Sequence, residues 1–213
     1  MLSELERLSE RWTRANEMAE ARMNQLLTIA SGASGVLLLL SQLKIAPTDF
    51  LGVALATFAI VWLLGLLAFL RILQRNITVI GYVRAINCLR HFFVDNDPSI
   101  ERYLAIPITD SEPKYTSVGA RRFGARTVTA IISSLAFGLG CGDVITLLAF
   151  GLQVSASSVA IGIISSIAHV AIMETYATIR LSNAEKSYKV RFPQRQIEKL
   201  DAVSSERPLA RGA

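Results

Sequence analysis

Three ionisable residues stand inside or beside long apolar runs, where such a side chain is costly and marks a candidate site. Asp143, in Gly140-Cys141-Gly142-Asp143, lies about 25 Å along a helix from Arg126 at 1.5 Å per residue, in the outer half of its run. On the same scale His169 lies about 16 Å from Arg180, near the middle of the next run, and Glu174 about 9 Å from it, at the inner edge. A carboxylate at that depth suits the holding of a cation or proton in a polar passage. An imidazole titrates near neutral pH. Thr146, Ser158 and Ser166 add hydroxyls that would line such a path. Simpler placements stand beside this one. Asp143 reaches the outer interface if the glycines bend its helix, Ser165 lies one turn from His169, and Arg126 is a ready cation for Glu174. Asp143 and His169 differ by about 9 Å in depth, which argues against an acid–base dyad.

Elsewhere the sequence offers little chemistry. Asp95-Asn96-Asp97 lacks the spaced oxygen ligands and terminal Glu of a calcium loop and reads as helix termination. His91 has no second His or Cys nearby, so no zinc site is expected. No nucleophile elbow, phosphate loop or Cys-His pair occurs. The expectation is a protein without enzymatic activity, metal or cofactor. Cys88 and Cys141 fall in different compartments of the pattern below and are expected as reduced packing residues.

Small residues recur every fourth position: Ala130, Ser134, Gly138 and Gly142 in one run, Ser158, Gly162 and Ser166 in the next. Lipid provides no hydrophobic drive for helix association, so small side chains that let backbones approach are a main source of affinity. These rows serve either packing within one bundle or an interface between copies. Thr28, Gly32 and Gly35 add further small residues, which tilts the expectation toward a homo-oligomer.

The elements that position these residues follow from hydropathy. Four runs, 25–43, 50–70, 127–152 and 157–179, are near or above the ~20 residues that cross ~30 Å of hydrocarbon. The whole chain is 52% hydrophobic, with mean hydropathy +0.42, yet 18% of its residues are charged and fall in separate blocks. Of 22 Lys and Arg, 21 lie in the N-terminal segment, the central connector or the C-terminal tail; only Lys44 lies in a short turn. The positive-inside rule makes that basic side cytoplasmic. The net charge of +5 is then met by anionic headgroups, and nucleic acid is disfavoured because no basic helix is interleaved with stacking aromatics.

The expected fold is an all-α membrane protein: four transmembrane helices as two antiparallel hairpins, both termini cytoplasmic, with helical cytoplasmic extensions. Residues 1–24 form an amphipathic helix, with Ser3 and Glu6 as a capping box and no signal-peptide pattern. A seam of Leu5, Leu8, Trp12, Ala15, Ala19 and Leu26 runs along it, and no Pro or Gly separates it from the first span before Gly32. Residues 25–70 form the first hairpin, with Thr48 or Asp49 capping the second span. Residues 71–126 are a helical connector in which Arg84, Asn87, Arg90 and His91 share one side, expected as a face for a cytoplasmic partner. Asp97-Pro98 restarts a short helix to about residue 104, and 107–119 is irregular. Residues 127–179 form the second hairpin, and 180–213 a tail that loses order toward its end. This layout leads to the expectation of a homo-oligomeric protein of the bacterial inner membrane that forms or regulates an ion-conducting pore. The alternative is a membrane-anchored adaptor, laid out like an accessory effector of an antiphage system.

Overall fold

A long helix that begins in water and ends in lipid needs no break if nothing in its sequence forces one. The computed structural model describes residues 2–43, 45–103, 109–115, 124–149 and 155–191, and it has no strand among them. Four long helices run through the described residues: α1 (Leu2–Ser41), α2 (Pro47–Asn96), α3 (Ala125–Ala149) and α4 (Ala156–Ser187). A 3-10 turn covers Pro98–Tyr103. Each of the four helices is long and apolar enough to cross a membrane. With 40 and 50 residues, α1 and α2 extend for about 60 and 75 Å, far beyond the hydrocarbon thickness. The N-terminal segment thus enters the first apolar run as one helix.

Helix ends depart from the sequence reading. α2 starts at Pro47, whose fixed φ suits a first helical position and whose missing N–H is not needed there. Its cap is Ala46, with no side-chain bond, so Thr48 and Asp49 lie inside the helix instead of capping it. Likewise α1 begins at Leu2, ahead of Ser3, the expected cap. At the far end of α2 the Asp97 carboxylate accepts the Ser99 hydroxyl and amide at 2.7 and 3.0 Å, which starts the 3-10 turn. Those two bonds hold its carboxyl below the ordinary range. At α4, Ser155 and Ser158 form a reciprocal capping box, each side chain taking the other's backbone N–H.

Packing of the membrane portion rests on close approach. The pairs Arg126–Glu174, Ser134–His169 and Gly138–Ser166 run in opposite directions along α3 and α4. A Cβ at Gly65 of α2 would come within 2.7 Å of the Ser133 Cβ of α3. α1 lies along α2, burying Ala15 and Leu26, two members of the expected seam, while Trp12 stays exposed. The buried apolar core gathers Phe69, Leu73 and Ile80 of α2, Ala130 of α3, Met173, Ala177 and Leu181 of α4, and Tyr115. Leu38, Leu39, Ile163, Ile164 and Ile167 point outward, as side chains facing hydrocarbon do.

Candidate functional site

Polar groups collect at two levels, one within the apolar runs and one beyond their basic end. In the upper cluster Trp62 of α2 donates its indole N–H to Nε2 of His169 on α4, at 3.1 Å. Indole nitrogen is only a donor, so Nε2 is the bare nitrogen and Nδ1 carries the proton. Nδ1–H then donates to Ser134 Oγ of α3 at 2.8 Å, and that hydroxyl points at the Met173 sulfur, 3.9 Å away. Phe137 stacks on the imidazole with centroids 4.8 Å apart. His169 therefore ties three helices together as a neutral ring. Its partners are Trp62 and Ser134, not Ser165; the sequence period places Ser165 on the same helix, but only the fold brings α2 and α3 to the ring.

The other hydroxyls are turned inward too. Thr146 donates to Gly142 O at 2.9 Å, Ser166 to Gly162 O at 3.0 Å, and Ser158 to Ser155 O at 2.9 Å. Ala130 and Ser134 are fully buried, and a Cβ at Gly138 would overlap Ser166 Oγ and Gly162 O. Gly142 rests on the Ser158 carbonyl and on Gly162. The small-residue rows thus face each other across α3 and α4 of one chain. One step toward the basic end, Arg126 donates to Glu174 at 2.8 Å. Asp143 Oδ2, like Arg126 Nε, is shut off from solvent without a hydrogen-bond partner among the described residues, but Asp143 has no ion pair to offset it there.

The lower cluster overturns part of the sequence reading. Arg84 and Asn87, expected on an outward face, are buried at 0% and 2% exposure. The physical reason lies in residues 109–115, an irregular segment whose carbonyls have no helix or sheet to satisfy them. Arg84 donates to Pro113 O at 3.0 Å and Ser111 O at 3.3 Å, and Asn87 Nδ2 to Thr109 O and Glu112 O at 3.1 and 3.0 Å. Arg84 also meets Glu185 of α4 at 2.7 Å, and Glu185 takes the Tyr115 amide at 2.7 Å. Two rings, Tyr115 and Tyr188, each have their centroid 4.5 Å from the guanidinium carbon, within cation–π range. Asp110, also buried, accepts the Arg191 amide at 2.9 Å and the Tyr188 hydroxyl at 3.4 Å. Burial, with Cys88 and Asp110 beside it, pushes the Tyr188 phenol up to about 12; burial also raises that of Tyr115, against the pull of Arg84. Arg90 and His91 remain partly exposed, and His91 Nδ1 sits 3.0 Å from Asp95.

No cluster of three or more His, Cys, Asp or Glu able to hold a metal occurs among the described residues, and both cysteines are free. The arginine clasp was not foreseen as a unit. Its one sequence signal is an arginine with an asparagine at i+3 on a helix already rich in apolar residues, a pattern with more polar surface than a covered helix needs unless it has partners. Comparisons with protein families, with curated proteins and with solved structures gave no match to this chain.

Proposed function

We propose that this chain is a four-pass protein of the bacterial inner (plasma) membrane, folded as two antiparallel hairpins with both termini cytoplasmic, whose copies assemble to form or regulate an ion-conducting pore. The placement of 21 of 22 basic side chains supports the orientation, and the reversed order of the α3–α4 contacts supports the second hairpin. Asp143 carries the conducting reading. A desolvated carboxylate oxygen without a partner is expensive in a membrane. A permeant cation, a file of water or a donor from a second copy would relieve it. Among the candidate pathway residues Asp143 is the one left open. His169, Thr146, Ser158 and Ser166 already have partners within the chain. The cytoplasmic clasp would pass movement of α4 to α2 and so serve as the gate.

A second reading, the membrane-anchored adaptor, is favoured by an open groove of about 740 Å³ on the cytoplasmic extensions. Leu8, Ala85, Leu89 and the exposed Phe92 give it an apolar floor, and Lys189 and Arg191 a basic rim, a surface suited to a protein partner. Ion flux from liposomes holding the full chain separates the two. The pore reading expects flux from the wild type, its loss in Asp143→Asn, and its retention in His169→Ala. Absence of flux from the wild type at every membrane potential tried would abandon the pore for the adaptor.

A further inference from the structure

Between α1 and α2, just beyond the apolar runs, lies an open cleft of about 430 Å³. Arg11, Arg14 and Arg22 line it from α1, and Arg71, Arg75 and Tyr82 from α2. No lining residue is acidic. Arg14 alone has a carboxylate partner among the described residues, Glu10 at 2.6 Å on its own helix. Arg75 points a guanidinium nitrogen at the Met18 sulfur, 3.1 Å away, a weak acceptor for a cation. Five guanidinium groups line this one cavity, and four of them have no carboxylate partner among the described residues.

We propose that this cleft binds an anion bearing two phosphates, and that its source is the headgroup of an inner-leaflet lipid. Guanidinium forks match phosphate oxygens two at a time, and a single phosphate would leave most of these forks unpaired. The hydroxyl of Tyr82 and the side-chain amide of Gln74 add neutral donors to the same wall. The cavity falls within the size range of small-molecule sites. Its level favours a lipid over a free anion. Arg22 stands three residues before the first apolar run and Arg71 directly follows the second, so this end of the cleft opens at headgroup depth, and Arg11 and Tyr82 extend it about 16 Å further from the runs. Leu27, Leu67 and Leu70, exposed within five residues of Arg22 or Arg71 along their helices, offer a surface for acyl chains. The lipid source rests on the four-pass topology proposed above and is independent of conduction.

Native mass spectrometry of the full chain in neutral detergent tests this with three probes: tetraoctanoyl diphosphatidylglycerol, inorganic pyrophosphate and dioctanoyl phosphatidylcholine. The wild type is expected to retain the diphosphatidylglycerol, to bind pyrophosphate more weakly and to ignore the phosphatidylcholine. Arg11 and Arg71 are exposed, so the double variant Arg11→Gln/Arg71→Gln leaves the packing alone. At about 1 kcal/mol for each basic group, it should weaken lipid binding about thirtyfold, whereas Arg90→Gln, outside the cleft, should change nothing. Pyrophosphate bound as tightly as the lipid would overturn the headgroup source in favour of a soluble phosphorylated anion. Equal lipid binding by the wild type and the double variant would overturn the site itself, whatever the flux measurements give.

Discussion

Arg84→Met separates the clasp from the helices it joins. Methionine keeps most of the length but removes the charge, the bonds to Ser111 O and Pro113 O, and the cation between Tyr115 and Tyr188. Deleting one partner of a fully buried pair costs about 3–5 kcal/mol. The Arg84 side chain is fully buried, but that of Glu185 is 31% exposed and can recover water, so the lower end, about 3 kcal/mol, applies. That energy shifts a local opening equilibrium about 150-fold. Amide hydrogen exchange reads it at two donors in the clasp, Tyr115 N–H on Glu185 and Arg191 N–H on Asp110. Both should exchange about 150-fold faster in the variant, while amides in the middle of α3 keep their wild-type protection. Arg84→Lys, with the charge but not the fork, should fall between the two. Unaltered protection at Tyr115 and Arg191 in Arg84→Met would mean that the segment 109–115 and the end of α4 are held by something other than this arginine.

Three further outcomes follow from the geometry. Gly138→Val drives a side chain into Ser166 and the Gly162 carbonyl and should cost about 1–3 kcal/mol, lowering the unfolding temperature in detergent, whereas Gly32→Ala, with open space around it, should not lower it; equal midpoints would contradict the close α3–α4 contact. His169→Ala strands the Trp62 indole and Ser134, a loss of about 1–3 kcal/mol, and should red-shift Trp62 emission in a Trp12→Phe background as water enters; an unmoved spectrum would count against the three-helix tie. Because the folded-state pKa of Tyr188 is raised to about 12, its contribution to stability is complete below pH 10 and is lost as pH climbs through about 12. Phenolate absorbance should accordingly show a late step that Tyr188→Phe removes, and titration of all tyrosines in one step near pH 10 would refute this.

Hydropathy made the four long helices legible because a span must be apolar along its whole length, a demand no local propensity can hide. The continuity of α1 and α2 followed equally from the lack of an interior proline. The pairing of Arg126 with Glu174 was legible, since both stand at the basic edge of neighbouring apolar runs. Arg84 and Asn87 were misplaced for a definable reason. A polar stripe on a helix outside lipid looks like a wet face, and only the fold reveals that an irregular segment spends its carbonyls there. His169 was recognised as special, but Trp62 and Ser134 are 107 and 35 positions away, beyond any spacing argument. The caps failed at Thr48, Asp49 and Ser3 because Pro47 and the start of α1 at Leu2 set those ends first. Expectations for 104–108, 116–123 and 192–213, including a polar helix after Pro193, lie outside the described residues.

The length of α2 has a mechanical consequence. From Leu70 to Asn96 it projects about 39 Å past the second apolar run, with no proline or break along the way. A rod of that kind is a lever whose short arm lies in the bilayer. A tilt of about 10°, within the ordinary range for spanning helices, sweeps its far end through about 7 Å. The clasp at Arg84 grips this lever roughly halfway along the projecting arm, so α4 is carried with it. Thinning or thickening of the bilayer would then be reported, magnified, at the Asp97 end.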